Sequence, residues 1–139
     1  MKSAVTLIRS STLAHSVPYA YAATAPADAR LVFLAGSCPL DEAGAIVGRG
    51  DYAAQAMQCL DNLLAALGDA GARLEDVIST RVLVASTVRA DLVTAWDVVR
   101  ARFGDHDVPS TLLGVTVLGY EHQLVEIEAV AAVLDRRSS

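Results

Sequence analysis

Arg81, Glu126 and Glu128 are the residues of this chain whose types and spacing could do chemistry on a small polar ligand. The two glutamates sit in Val125-Glu126-Ile127-Glu128-Ala129, where apolar and acidic residues alternate with the period of a strand whose faces differ, so both carboxylates point to one side. Carboxylates beside so apolar a strand must reach water or find donors, because burying them unpaired is costly. Arg81 lies in a second apolar stretch, Val77 to Ala85, with Thr80, Val82 and Val84 predicted on one face and Arg81 and Leu83 on the other. Two readings stand. In one, the arginine pairs with one of these carboxylates across strands or across a subunit interface and satisfies it. In the other, its guanidinium fork holds a ligand carboxylate while a glutamate positions a water or a proton.

The other reactive side chains offer less. His15, His106 and His122 stand far apart, and the last two read as solvated loop histidines because no acid or base partner is fixed near them by local spacing. Cys38 follows the Gly36-Ser37 turn with no adjacent cation or helix start and reads as a packed loop thiol, whereas Cys59 falls among helix residues and reads as structural. Two cysteines are too few for a disulfide scaffold and lack the grouped spacing of a structural zinc site, so a reducing cytoplasm is expected. Trp96 belongs to an apolar helix face, as core or as the wall of a pocket. Phosphate loops, nucleophile elbows and His-Glu zinc motifs are absent from the sequence.

The elements that must position these residues can be read from periodicity. Val108 to Val133 predicts two strands, Ser110 to Val117 and from Leu124 onward, joined through a turn at Gly119-Tyr120-Glu121-His122. Ala4 to Ile8 predicts a first strand. The continuous run Leu31 to Gly36 predicts a central one, and Ile46-Val47 a short edge strand. From Asp51 the period becomes helical, with Ala53, Ala56, Leu60, Leu63, Leu64 and Leu67 on one face and Gln55, Gln58, Asp61 and Asn62 between them; Asp51 can cap this helix and Gly71 end it. A second helix, capped by Ser86 or Thr87, presents Leu92, Ala95, Trp96, Val99 and Phe103 and stops at Gly104. Gly36 and Gly114 are expected where backbones approach closely. Strands, helix, strand, helix, strands give an α+β domain spanning 1–139, with both helices on one sheet face.

The 53% hydrophobic content and mean hydropathy of +0.40 are high for a soluble monomer, yet no run reaches the ~18 apolar residues of a membrane span. Copies of the same chain are expected to cover the free sheet face. A net charge of −5 without a Lys/Arg cluster gives no footprint for nucleic acid.

Several landmarks resemble the Rid proteins, the YjgF/YER057c/UK114 family also described as endoribonuclease L-PSP, nearly end to end. Val17-Pro18-Tyr19 resembles the family's G-P-Y, and Ala35-Gly36-Ser37-Cys38-Pro39 its S-G-Q-x-P. Gln55 to Leu63 resembles its first helix, and Val125-Glu126-Ile127-Glu128-Ala129 its terminal strand. The resemblance implies a chorismate-mutase-like fold and a homotrimer with a ligand cleft at each subunit interface, where reactive enamines and imines are hydrolysed without cofactor or metal. Tyr19 and Glu126 match the family's site. Thr111, however, stands where the best-known branch carries its carboxylate-binding arginine, Ala35 replaces a serine, and Trp96 replaces a polar residue on the second helix. A hydroxyl cannot stand in for a bidentate fork. The site implied comprises Glu126 as the water-orienting residue, with Tyr19, Ala35, Gly36, Arg81, Trp96 and Thr111 around the ligand. The expected function is a Rid-type hydrolase of a small imine or related electrophile. A catalytically silent trimeric metabolite-binding protein is the alternative, and ribonuclease activity is disfavoured by the acidic charge.

Overall fold

The alternating and helical stretches form six strands and two helices in the computed structural model, which describes residues 2–135. Strands β1 (Thr6–Ile8) and β2 (Ala22–Thr24) make a small antiparallel ribbon. The main sheet holds β3 (Arg30–Phe33), β4 (Val77–Ala85), β5 (Ser110–Val115) and β6 (Val125–Val133) in the order β3-β6-β4-β5. Helices α1 (Tyr52–Asp69) and α2 (Arg89–Phe103) pack on one of its faces and on each other. Strands β4 and β5 run parallel because α2 carries the chain back across the sheet before β5 begins, while the other pairs are antiparallel. The result is a mixed sheet with a two-helix layer, an α+β domain.

Burial follows the predicted faces. On the helix side, Val82, Val84, Val125, Ile127, Ala129 and Ala131 meet Ala56, Leu60, Leu63, Leu67, Ala95, Val99 and Phe103 in one core. Asp51 caps α1 by accepting from the Ala54 N–H, and Gly71 follows its end at φ +76°, a conformation that favours glycine. Gly104 caps α2 in the same region at φ +55°. The Gly114 Cα packs under the β4–α2 turn, where a Cβ would lie 2.9 Å from the Ser86 carbonyl oxygen.

Several expectations need correction. The Leu31 strand is an edge strand, four residues long. Only Val32 of it is buried, whereas Leu31 and Phe33 face out, so the central places go to β4 and β6, which bury an unbroken row each. Strands β5 and β6 are not partners, because β4 lies between them and the Gly119 to His122 turn ends a longer connection. Ile46 makes one isolated bridge to Leu40 and no strand. Gln55, predicted on the polar side of α1, is fully buried. The α2 N-cap position is Val88, not Ser86 or Thr87; the Ser86 hydroxyl instead accepts from the Val88 N–H and donates to Asp91. His106 is no free loop histidine, since its Nε2 lies 2.7 Å from the Val77 carbonyl oxygen.

Candidate functional site

Glu126 enters β6 beside the loop that leaves β3, and the shape of that loop decides where its carboxylate rests. Ser37 exchanges backbone hydrogen bonds of 2.7 and 3.0 Å with Ile127, and its hydroxyl donates to the Cys59 carbonyl at 2.6 Å. The Asn62 amide donates to the carbonyls of Cys38 and Leu40 at 2.8 and 2.9 Å. Helix α1 thus grips residues 37–40 from behind. With the loop pinned, Gly36 lies under the Glu126 carboxylate, so closely that a Cβ there would fall 2.3 Å from Oε2. Cys38 Sγ donates to Oε1 at 3.3 Å and the nearly buried Gln123 amide donates to the same oxygen at 3.2 Å. Among the described residues, Oε2 accepts no hydrogen bond. Burial, and next the bond to Glu126, pushes the Cys38 thiol up to about 11, so it stays protonated and serves as a donor rather than a nucleophile. Burial raises the Cys59 thiol too, in keeping with a structural role.

A second group gathers at the β5 edge. Pro18, Tyr19, Trp96, Ser110, Thr111 and Leu112 line an open pocket of about 460 Å³. The Tyr19 segment is fixed there by its neighbours. Ala20 is buried and its N–H donates to the Asp107 carbonyl at 2.7 Å, and Tyr19 meets Tyr21 edge to face at 5.8 Å between centroids. The Arg9 guanidinium makes a two-pronged pair with the Asp107 carboxylate, one bond at 2.9 Å, which raises the arginine and holds the Asp107 carboxyl below its ordinary range. A neighbouring groove of about 400 Å³ shares Tyr19, Ser110 and Thr111 and adds Arg81.

Arg81 stands between the two groups. Its register partners are Thr111 on β5 and Glu128 on β6, and its Nη1 lies 3.5 Å from Glu128 Oε1. Of the two carboxylates, it is therefore Glu128 that the arginine meets. Both side chains are well exposed, at 57% and 40%, which makes this a weak, screened pair. Glu126 sits across from Leu83 on the same open face. Thr111 and Glu126 are two strands and two residues apart, roughly 12 Å at Cα from strand spacing.

Of the residues singled out from the sequence, the structure brings Glu126 and Gly36 together as a glutamate station and Tyr19, Trp96 and Thr111 together as an aromatic station, with Arg81 between them. Ala35 is exposed on the loop beside the first and its methyl group adds no donor. Gln123 and the role of Cys38 were missed, because a loop glutamine carries no periodicity and the thiol's partner is distant in sequence. Among the described residues no group of three or more His, Cys, Asp and Glu side chains gathers as a metal-ligand set, and no helix is long and apolar enough to cross a membrane.

The endoribonuclease L-PSP family model matches residues 10–133. The chain belongs to that family. Among solved structures, it is similar to a conserved Rid-family protein of unknown function from Yersinia pestis, at 29% identity and a TM-score of 0.82, with 94% of this chain and 99% of that one covered. It is also similar to a YjgF/YER057c/UK114-family protein from Mycobacterium tuberculosis, at 32% identity and a TM-score of 0.64, covering 93% and 99%. No curated protein matches significantly.

Proposed function

We propose that this L-PSP-family chain hydrolyses a small reactive imine, enamine or related electrophile at clefts formed between copies of itself in a homotrimer, without cofactor or metal. The observation that supports this reading is the setting of Glu126. Both of its donors fall on Oε1, so the carboxylate is fixed while Oε2 stays available to hold a water. In the reaction, Oε2 accepts a proton from that water as its oxygen adds to the imine carbon. Oε2 returns that proton to the nitrogen to give a carbinolamine; it then takes the hydroxyl proton and passes it to the nitrogen as the C–N bond breaks, so that a carbonyl compound and the free amine leave and the carboxylate is restored. Tyr19 closes the cleft, and a second protomer supplies the opposite wall. A reducing cytoplasmic setting belongs to the same proposal and suits the two free thiols.

A second reading has its own support. Thr111 and Trp96 replace a charged and a polar family residue, which suits a trimeric metabolite-binding protein that has lost turnover. An endoribonuclease role is disfavoured by the net charge of −5.

The deciding experiment generates imines in situ with an amino-acid oxidase and follows their hydrolysis by wild type and Glu126→Gln. Turnover that disappears in the variant, with ligand binding spared, is expected. Wild-type rates no faster than the uncatalysed reaction across amino-acid and amine-derived imines would leave the binding protein as the answer.

A further inference from the structure

The aromatic station carries an inference about ligand chemistry that rests on the proposed site and goes beyond the hydrolase reading. All six residues lining its pocket are uncharged. Trp96, Tyr19, Pro18 and Leu112 offer flat or apolar walls. The Ser110 hydroxyl is occupied, donating to the Val108 carbonyl at 3.0 Å and lying 2.6 Å from Thr80 Oγ1. The Thr111 hydroxyl makes no hydrogen bond among the described residues, so it remains to donate to or accept from a ligand. A volume of about 460 Å³ is of the size that takes a ring-bearing small molecule.

The charges around this pocket argue in the same direction. Two cations flank the pocket without lining it: Arg81 opens onto the adjoining groove and is paired with Glu128, and Arg100 lines a separate small pocket on the other side of Trp96 together with Asp107. Glu126, on the same open face as Arg81, adds a negative charge. A ligand carboxylate placed against Trp96 and Leu112 would be desolvated with a single hydroxyl as compensation, whereas an uncharged amide or imine nitrogen pairs with that hydroxyl without loss of ion hydration.

We infer that this pocket selects uncharged, ring-bearing imines or amides over carboxylate-bearing ligands. The selectivity comes from Thr111 and Trp96 together: the first withholds the cation, and the second supplies a stacking surface.

Trp96 is the single tryptophan of the chain, so its fluorescence reports on the pocket directly. The test titrates the full-length protein with benzamide and with benzoate, which share shape and differ in charge. Saturable quenching by benzamide with an affinity at least about tenfold above that for benzoate is expected, the factor corresponding to one unpaired anion partly desolvated. Thr111→Arg should invert the order. A Trp96→Leu variant, followed by saturation-transfer NMR, should lose benzamide binding while its melting temperature stays near that of wild type, which keeps the test open should the arginine variant misfold. Benzoate binding as tightly as benzamide, benzoate binding that disappears in Arg81→Ala, or no saturable response to either probe overturns the inference. Turnover assays are independent of it. Benzamide selectivity without hydrolysis of any imine sinks the hydrolase reading alone, and hydrolysis confined to carboxylated imines with benzoate preferred sinks this inference alone.

Discussion

Glu126 is held by contacts that differ in what their loss would do. Gly36 has an ordinary backbone conformation, so an added methyl group strains nothing in the chain itself; its Cβ would instead displace the Glu126 carboxylate. Gly36→Ala should therefore leave the melting temperature within a few degrees of wild type and still cut turnover at least tenfold, because the carboxylate must leave its place over the loop. Steady-state kinetics beside thermal melts check this; unaltered kcat with the methyl group present would show that the position of Oε2 is immaterial. Arg81 gives the opposite kind of prediction. Its partner Glu128 lies at 3.5 Å with both side chains exposed, so Arg81→Ala should cost under about 1 kcal/mol, and a double-mutant cycle with Glu128→Gln should give a coupling of about 0.2–1 kcal/mol. A coupling of 3 kcal/mol or more would mean that the pair is buried by something outside the single chain, such as another subunit.

At the scale of elements, long periodic stretches were legible and the joints between them were not. Strand β4 and helix α1 matched their predicted spans closely because nine and eighteen residues carry several periods of signal, and the carboxylates on β6 share a face as alternation requires. The edge position of β3 was hidden. Its apolar run suits a buried central strand equally well, and only pairing partners far along the chain tell the two apart. Gln55 was misplaced for a related reason, since helical spacing cannot show that a buried amide will meet backbone groups from a distant loop. Its amide donates to the Gly48 and His122 carbonyls at 3.2 and 3.0 Å, and its oxygen accepts from the Leu124 N–H at 2.7 Å. Gln55→Leu keeps the volume and leaves these backbone groups unpaired, so it should cost about 2–4 kcal/mol by chemical denaturation. A loss below 1 kcal/mol would mean that water replaces the amide. The Arg9–Asp107 fork, which ties the β1–β2 ribbon to the segment before β5, makes a pH-dependent prediction. Because Asp107's carboxyl is depressed in the fold, the fork's contribution is fully present above its unfolded value near 3.8 and is lost as pH falls through the lower folded value. Arg9→Ala should thus lower stability at pH 7 by under about 1 kcal/mol and make no difference once the solution is acid enough to protonate Asp107; an effect that persists unchanged at pH 2 would assign it to packing.

For the whole molecule the decisive feature is the sheet face without helices. Phe33 is 74% exposed and Leu31 55%, beside Val130, Leu83 and Leu113 on neighbouring strands, an apolar surface interrupted by the Arg81–Glu128 pair, Glu126, Ser79 and Thr111. Each large side chain left this open forgoes about 1.5–3 kcal/mol that burial would supply, and a sheet with one dry layer and one bare layer is an incomplete α+β domain. A second copy of the chain covers such a face at least cost, because a repeated interface closes on itself. On the proposed reading, in which hydrolysis takes place between copies, assembly and turnover should fail together. Multi-angle light scattering should give about three times 14.6 kDa for the wild type. Phe33→Asp should shift that mass toward a single chain without unfolding it, since the ring supports no core in the isolated protomer. The monomeric variant should retain the Trp96 response to benzamide, because the six residues lining that pocket belong to one chain, while losing the hydrolysis proposed to need two. A wild-type protein that stays monomeric and still turns over would place both stations in reach of one ligand and remove the reason for a second subunit.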